Sequence, residues 1–378
     1  MIKVNYPHEV IVETVKACNL RCNYCYINHS RPFDVGALQI LSAEVLDRFV
    51  PEFLEYSGSF ARFDWHGGEP LLAGIDFYQH AIQLQREHVR PGQRISNVIQ
   101  TNATLINAQW IEFFKSNDFR VGVSLDGPEW LQDKHRQSIS GRGSSRRVMK
   151  GIELLLEHEV DISALAVVTE DSVGHEEEII ANFASLGIKR IDFLPCTVVS
   201  EDRNHLLPPS VSDTSYGKFL VKSYDVWRSG KYDVSIRTFD IVHAGLLRRR
   251  LSVCQYAGAC HQIVALDFDG SIYPCGRYVG QTGKKFGNVL SENYDRIIQG
   301  SQAQNHTDEL ERYRVNCREC KWYSICHGGC PAYIVLGDNG SKESQCEARQ
   351  MLFAHAYESL GSYIEANNLT NEWQLLSI

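Results

Sequence analysis

The feature that most constrains this chain is the uneven distribution of its twelve cysteines over 378 residues. Three lie between positions 18 and 25, one lies at 196, and eight lie between 254 and 346. The first residues, MIKVNYPHEV, lack the apolar core of a secretory signal, so we expect a cytoplasmic protein. Cysteines in a long cytoplasmic chain are more often metal ligands or catalytic groups than disulfides. The sequence therefore predicts two metal-bearing regions with a cysteine-poor scaffold between them.

The overall composition is that of an ordinary globular protein, with 43% apolar and 22% charged residues. These proportions exclude a disordered tail, a collagen and a coiled coil. The net charge of −8 and the pI of about 6.0 argue against nucleic acid as the main partner, because duplex-binding proteins usually carry a basic surplus. No apolar run approaches the length needed to cross a bilayer, so we expect no membrane association.

Strand-like and helical patterns alternate through the first two-thirds of the chain. The strand-like runs cover residues 10–15, 60–65, 95–100, 120–125, 162–168 and 190–194. The helical patterns cover residues 42–56, 75–89, 107–117, 145–158, 175–186 and 213–229. This alternation predicts an α/β fold with parallel strands and covering helices. Six units favour a partial (β/α)6 TIM-like barrel or an open sheet, with functional side chains at the carboxyl ends of the strands.

After residue 235 the pattern changes to a segment rich in Cys, Gly and Tyr with little regular structure. Residues 263–273 read as a hairpin with a tight Asp269-Gly270 turn, and residues 347–365 as a closing helix. A cysteine-rich segment with few helices usually depends on metal for its stability. We therefore expect three parts: a barrel over 1–235, a metal-bearing domain over 236–350, and a helix and tail over 351–378.

The first cysteine group, Cys18-x3-Cys22-x2-Cys25, follows directly on the first strand. Three thiolates can hold three irons of a [4Fe–4S] cube and leave the fourth iron open to a chelating ligand. The amino and carboxylate groups of S-adenosylmethionine (SAM) suit that position. A zinc site completed by His29 is the alternative, because zinc sites also use cysteines at this spacing.

The run Cys18-Asn-Leu-Arg-Cys22-Asn-Tyr24-Cys25 resembles the CxxxCx(aromatic)C signature of radical SAM enzymes. The resemblance implies that the cube binds SAM and cleaves it to methionine and a 5′-deoxyadenosyl radical. That radical removes a hydrogen atom from an unactivated C–H bond, while the protein supplies orientation and shielding.

The same resemblance assigns further residues to SAM. His66-Gly-Gly-Glu-Pro, at the end of the second strand, matches the family's GGEP element, which binds the SAM amino group. Polar side chains also end the third and fourth strands, as in barrel enzymes that bind ligand there. Asn102 and Ser124 could instead belong to simple turns, Arg136 could be a surface arginine, and Leu194 could be a core residue. The expected SAM-binding residues are Tyr24, Gly67, Gly68, Glu69, Asn102, Ser124, Arg136 and Leu194.

The second cysteine group supplies eight thiolates, enough for two fully ligated [4Fe–4S] cubes. Its members are Cys254, Cys260, Cys275, Cys317, Cys320, Cys326, Cys330 and Cys346. A zinc ribbon built on Cys317, Cys320, Cys326 and Cys330 is possible. It leaves the other four cysteines, Cys254, Cys260, Cys275 and Cys346, unexplained. Cys196 remains outside both groups, and we expect it to be a packed thiol.

The spacing of this group resembles the SPASM domain, and the whole chain resembles anaerobic sulfatase-maturating enzymes. The resemblance implies a first auxiliary cluster on Cys254, Cys260, Cys275 and Cys330. It implies a second on Cys317, Cys320, Cys326 and Cys346, giving three [4Fe–4S] clusters in all. Four cysteines per auxiliary cube leave no open iron, which favours electron transfer or structural roles. A flavodoxin- or ferredoxin-type donor is the expected electron source.

One position departs from that family. Sulfatase maturases place an aspartate, the proposed base, directly after the cysteine that matches Cys275, whereas this chain has Gly276. Glycine cannot act as a base, so the catalytic base is unassigned. We therefore favour a radical enzyme that crosslinks or otherwise modifies a ribosomally made peptide. Formylglycine synthesis from Cys or Ser is the second hypothesis, and a non-catalytic zinc-binding module is the third.

Overall fold

The computed structural model describes residues 6–25, 27, 38–200, 205–281, 283–337 and 340–367, with the side chains of 335–342 outside the description. The chain divides into two compact units. The first comprises the described residues of Met1–Ser124, Arg136–Ile162 and Cys260–Glu309. The second comprises those of Leu125–His135, Ser163–Ala259 and Leu310–Ile378. The boundaries expected at 235 and 350 stay a prediction.

The first unit is built on a sheet in which five neighbouring strands run parallel, in the order β5-β4-β3-β1-β12, and β13 and β14 add antiparallel. The strands of this unit are β1 Glu9–Glu13, β2 Leu20–Cys22, β3 Phe60–His66, β4 Arg94–Thr101, β5 Phe119–Ser124, β6 Arg136–Ser138, β12 Ile263–Leu266, β13 Ser271–Tyr273 and β14 Gly287–Asn288. Strands β2 and β6 form a separate antiparallel pair. The predicted hairpin is present as β12 and β13, and Gly270 takes the positive φ of 84° in its turn.

The second unit contains a parallel group of β7, β8 and β11. Its strands are β7 Ile162–Val168, β8 Arg190–Pro195, β9 Val198–Val199, β10 Leu206–Leu207, β11 Ser235–Ile236, β15 Ile334–Gly337 and β16 Gly340–Glu343. The helices of the described chain are α1 Ala43–Tyr56, α2 Ile75–His88, α3 Ala108–Ser116, α4 Glu129–His135, α5 Ser145–Glu157, α6 Glu176–Ser185, α7 Asp213–Arg228, α8 Arg237–Leu246, α9 Cys254–Ala257, α10 Tyr294–Gln299, α11 Ser301–Val315, α12 Tyr323–Cys326 and α13 Cys346–Ala366. No described helix is long and apolar enough to cross a membrane.

Strand β3 shows how alternation separates the two faces of the first sheet. Phe63 and Trp65 are fully buried, with their rings against Phe53 of α1 and Tyr78 of α2 at 5.2 and 5.4 Å between centroids. Successive side chains of a strand point to opposite faces. The other face of β3 therefore carries its polar residues, Arg62, Asp64 and His66. The helices cover one face, and the polar groups line the other.

Local sequence also fixes where helices begin. Ser42 caps α1, because its Oγ accepts a hydrogen bond from Val45 N at 3.3 Å. Asn107 caps α3 through its side-chain oxygen, which accepts from Trp110 N at 3.1 Å. In the second unit, Asp213 accepts hydrogen bonds from Glu347 N and Ala348 N, at the start of α13. Each cap satisfies backbone donors that the first helical turn leaves without a partner.

Candidate functional site

The carboxyl ends of the parallel strands in the first unit bring several predicted residues to one edge of the sheet. Glu13, the last residue of β1, is the register partner of His66, the last residue of β3. Thr101 ends β4 and Ser124 ends β5. Parallel sheets bind ligands at this edge. The GGEP element comes directly after β3, and Asn102 comes directly after β4. The family motif and the fold therefore place these candidate SAM residues at the same edge of the sheet.

The first cysteine group forms the loop between β1 and β2 and the turn after β2. Cys22 ends β2, which pairs with β6 opposite Arg136. Leu20 N donates a hydrogen bond to Cys18 Sγ at 3.4 Å. Burial raises the pKa of the Cys18 thiol, and the charges of Glu69, Cys22 and Cys25 raise it further. A buried thiol becomes a thiolate only beside positive charge, which the irons of a cluster would supply. His29, the fourth ligand of the zinc alternative, lies outside the described residues.

Gly67 and Gly68 hold the cysteine loop against the end of β3. A Cβ on Gly68 would lie 1.9 Å from the carbonyl oxygen of Ala17, and one on Gly67 would lie 2.8 Å from that of Val15. Gly68 N and Glu69 N donate to the same two carbonyls at 2.9 Å. Glycine is required at both positions because the chain's own backbone approaches closely there, so the two glycines position the loop. Their contact with SAM stays a prediction.

Glu69 is a buried carboxylate held by three donors. Its Oε1 accepts from Thr101 Oγ1 at 2.6 Å and from Leu71 N at 3.1 Å, and its Oε2 accepts from Asn102 N at 2.8 Å. Burial raises the pKa of Glu69 to about 7, and the three hydrogen bonds oppose that rise. A carboxylate whose charge is incompletely balanced fits an ammonium ligand. Sequence reasoning missed the role of Thr101, because nothing in the sequence shows that its hydroxyl reaches Glu69.

Asn102 connects the end of β4 with the cysteine loop. Its Nδ2 donates to Asn19 Oδ1 at 2.9 Å and to Cys18 Sγ at 3.9 Å, and its Oδ1 accepts from Thr104 N at 3.0 Å. Most of the hydrogen-bonding capacity of this side chain is therefore used within the protein. Asn102 orients Cys18, and its contact with SAM stays a prediction.

Tyr24 and Arg136 contact one another beside the cysteine loop. The guanidinium carbon of Arg136 lies 5.4 Å from the centre of the Tyr24 ring, a cation–π distance. Both residues are buried. The alternative of a surface arginine is therefore wrong for Arg136, because the β2–β6 pairing brings its strand against the cysteine loop.

Ser124 and Leu194 were predicted from strand ends, and the structure places both there. Ser124 Oγ accepts from Gln100 Nε2 at 3.0 Å, on the face of the sheet opposite the helices. Leu194 is half-buried on β8, in register with Val167 of β7. Neither contact identifies a ligand, so SAM binding by these two residues stays a prediction.

Three thiols of the second predicted auxiliary cluster lie within electrostatic reach of one another in the second unit. Burial raises the pKa of Cys317, and the charges of Cys346 and Cys320 add to the rise. Cys326 is more deeply buried, and its pKa is raised to about 12 although the nearby Arg349 cation lowers it. Thiols in this arrangement fit a group that binds thiolates and brings positive charge of its own.

A buried ion pair adjoins these thiols. Arg349 Nη2 lies 3.1 Å from Glu343 Oε1, which also accepts from Cys330 N at 3.0 Å. Arg349 Nε and Nη1 are buried and have no hydrogen-bond partner among the residues that the structure describes. Buried donors of this kind need acceptors, and the sulfides and thiolates of an iron–sulfur cube are suitable ones. The chemistry of these residues suits a second cluster, while among the described residues no three metal-binding side chains already stand together as a metal site.

Four cysteines are expected to bind the first auxiliary cluster. Cys260 and Cys275 belong to the first unit, at the start of the 260–262 turn and two residues after the end of β13. Cys254, which begins α9, and Cys330 belong to the second. Cys196 is buried, and burial raises the pKa of its thiol to about 12, which agrees with the expected packed thiol. The cluster assignments stay predictions.

Comparison with known proteins identifies relatives along most of the chain. The model of the radical SAM superfamily matches residues 12–191, and that of the iron–sulfur cluster-binding SPASM domain matches residues 254–331. The cysteine-type anaerobic sulfatase-maturating enzyme of Clostridium novyi is 32% identical over 83% of this chain and 84% of its own length. The serine-type enzyme of Bacteroides thetaiotaomicron is 32% identical over 86% of this chain and 83% of its own.

Solved structures extend the comparison. Native anSMEcpe with bound AdoMet superposes with a TM-score of 0.84 at 28% identity, covering 95% of this chain and all of that one. Streptococcus suis SuiB bound to S-adenosylmethionine has a TM-score of 0.64 at 16% identity, covering 87% of this chain and 74% of SuiB, which shows a shared fold. The predicted barrel followed by a SPASM domain is confirmed by these matches.

Proposed function

Because this chain belongs to the radical SAM superfamily, in the SPASM-bearing group that includes the anaerobic sulfatase-maturating enzymes, we propose that it modifies a residue of a peptide or protein substrate by hydrogen abstraction. Membership confirms an enzyme and removes the non-catalytic zinc module from the hypotheses. The observation that carries the proposal is the hydrogen bonding of Asn102, whose backbone N donates to Glu69 and whose side chain donates to Cys18. Asn102 thereby links a thiol and a carboxylate that are both suited to SAM.

We assign the SAM-binding cluster to Cys18, Cys22 and Cys25, and the SAM amino group to Glu69. When bound, this cluster supplies the electron that cleaves SAM. The remaining clusters, one on each group of four cysteines defined above, bring the total to three. A flavodoxin- or ferredoxin-type protein of the cytoplasm is the proposed electron donor, since a low-potential cluster needs a low-potential reductant.

Two products remain in view. Sulfatase relatives at 32% identity favour conversion of Cys or Ser to formylglycine. Structures of anSMEcpe with AdoMet and an 18Cys peptide also cover 96% of this chain at 29% identity. Gly276 at the expected base position favours a different outcome, such as a crosslink within a ribosomally made peptide. Both products begin with the same hydrogen abstraction, so one assay separates them.

The assay is anaerobic and uses cluster-loaded protein, reductant, SAM and a sulfatase-type Cys-x-Pro-x-Arg peptide. Formation of 5′-deoxyadenosine measures SAM cleavage, and the peptide mass identifies the product. Loss of the cysteine sulfur with gain of an aldehyde identifies formylglycine synthesis. Deoxyadenosine with unchanged peptide directs the search to a different precursor. Absence of deoxyadenosine from protein of full iron and sulfide content contradicts the proposal.

A matched pair of variants tests the cluster assignment. Cys22→Ala should abolish SAM cleavage, because it removes one of the three ligands. Cys196→Ala should preserve it, because this buried thiol belongs to neither cysteine group. Equal activity of the two variants would show that the SAM-binding cluster lies elsewhere.

A further inference from the structure

The position of the missing base adjoins a carboxylate from another strand. A Cβ built on Gly276 would lie 3.6 Å from Glu13 Oε1 and 3.3 Å from Ile11 Cγ2. The carboxyl carbon of an aspartate lies one bond beyond its Cβ. An aspartate at 276 and the carboxylate of Glu13 would therefore share the same small region. Gly276 does not adopt a positive φ, so its backbone alone does not demand glycine.

Glu13 also stands on the functional face of the sheet. It is the last residue of β1, and Ile11, two residues earlier, points to the same side. Across the sheet its register partner is His66, which directly precedes the GGEP element. Its side chain is almost fully buried, at 3% exposure. Burying a carboxylate costs free energy. A glutamate buried at the ligand-binding edge of the sheet is therefore a candidate functional residue.

We propose that Glu13 is the catalytic base of this enzyme and replaces the aspartate that its sulfatase-maturating relatives carry at the position of Gly276. The proposal rests on the proposed function. In the step assigned here, the hydroxyl or thiol proton of the substrate residue moves to the Glu13 carboxylate. The adjacent carbon gives its hydrogen atom to the 5′-deoxyadenosyl radical, which becomes 5′-deoxyadenosine. A bound and oxidised [4Fe–4S] cluster would take up the electron that remains, and a C=O or C=S bond would result.

The charged and titratable neighbours of Glu13 come from three elements. His66 lies beside it on β3, and its pKa is lowered by burial and by the Arg277 cation, while Asp64 raises it. Arg277 follows Gly276 in the 276–278 turn. Asp267 is buried just after the end of β12, and its Oδ1 accepts a hydrogen bond from Phe268 N at 2.9 Å. A neutral His66 and a cationic Arg277 are compatible with an ionised Glu13.

The test compares Glu13→Gln with the double variant Glu13→Gln/Gly276→Asp. The probe is the Cys-x-Pro-x-Arg peptide, deuterated at the cysteine β-carbon. In Glu13→Gln we expect deuterium to enter 5′-deoxyadenosine as in the wild type, while modified peptide falls by about a hundredfold or more. In the double variant, the aspartate should restore product, because it returns a carboxylate to the same region. The double variant thereby exchanges the base on β1 for one at the family position.

Glu9→Gln is the matched control. Glu9 lies on the same face of β1, four residues before Glu13, and pairs with Arg62 at 3.1 Å. This variant should retain product. Unchanged product in Glu13→Gln, or an equal loss in Glu9→Gln, overturns the proposal. So does a loss in Glu13→Gln that the aspartate at 276 does not restore, when iron and sulfide content equal those of the wild type.

A second readout is independent of the peptide. Cluster-loaded wild type and Glu13→Gln are titrated with acid in parallel, and the difference in bound protons gives the titration of Glu13 itself. A midpoint below roughly pH 7 supports the proposal, because a base must be ionised at neutral pH. A midpoint above roughly pH 8 overturns it. If the wild type leaves the peptide unmodified, the proposed function fails for that substrate while this titration still decides the ionisation of Glu13.

Discussion

At the scale of single residues, the proposed binding of the SAM amino group to Glu69 makes the affinity for SAM depend on pH. Burial raises its pKa to about 7, so the carboxylate is partly protonated just below neutrality. An ammonium group binds the ionised form, and binding therefore requires loss of that proton. The affinity for SAM should rise by about tenfold between roughly pH 5.5 and 7. Equilibrium dialysis of the cluster-loaded protein measures this change.

Glu69→Gln is the control for that prediction. Glutamine keeps the size of the side chain but does not titrate, so SAM should bind more weakly with an affinity that is flat over the same pH range. The direction of both pH effects, on SAM affinity and on the free energy of unfolding, follows from the raised pKa of Glu69. In the SAM-free protein, the buried carboxylate prefers its proton, and the free energy of unfolding should fall as pH rises from about 4.5 to 7. A wild-type affinity that does not change with pH would contradict the assignment of Glu69.

Gly68 is the second residue at which a small change should have a large effect. A Cβ there would collide with the backbone of Ala17, one residue before Cys18. Gly68→Ala should displace the cysteine loop and reduce the bound iron by one cluster, as measured by iron and sulfide content. Gly92→Ala is the control, because Gly92 has open space around it and a φ of 78°. It should cost about 1 kcal/mol of stability and leave the iron content unchanged.

At the scale of elements, β16 and α13 are joined by the Glu343–Arg349 ion pair, in which both side chains are buried. Arg349→Met leaves a buried carboxylate without its cation and should lower the free energy of unfolding by about 3–5 kcal/mol. Glu343→Gln/Arg349→Met should recover much of that loss, because neither buried charge remains. Denaturant unfolding of cluster-loaded protein measures both variants. The exposed pair Lys189–Asp233 is the control, and its removal should leave the free energy of unfolding almost unchanged.

The elements themselves were largely predictable from sequence, because alternation and amphipathic periodicity are local properties. The six strand-like runs correspond to β1, β3, β4, β5, β7 and β8. The tight turn at Asp269-Gly270 was readable because glycine supplies the positive φ that the turn requires. The helix over 347–365 is likewise present, as α13.

Contacts between distant segments were not predictable in the same way. Glu13 is separated from Gly276 by most of the chain, and only the pairing of β1 with β12 and the turn after β13 bring them together. The burial of Arg136 depends on the short β2–β6 pair, and the approach of Arg349 to Cys326 depends on how α13 packs. Sequence spacing identifies ligands that are close along the chain. It does not identify the charged groups that surround them.

At the scale of the whole molecule, the two kinds of metal region should respond differently to loss of iron. The elements of residues 43–195 are supported by buried aromatic contacts, such as Phe53 on Phe63 and Tyr78 on Trp65. Between residues 316 and 345 the described elements are short, each of four residues or fewer. A segment with so little core depends on its metal for stability.

Anaerobic removal of iron with a chelator, followed by limited proteolysis, should therefore cut first between residues 316 and 345. The strands and helices of 43–195 should remain intact, because buried aromatic contacts support them even though residues 67–69 and 102 adjoin the cysteine loop. Cys320→Ala should produce the same early cleavage without a chelator, since it removes one ligand of the proposed second auxiliary cluster. Cys196→Ala should not, because its thiol is packed among protein groups. If cleavage began within 43–195 instead, the clusters would be carriers of electrons on a segment that folds without them, and their structural role would be refuted.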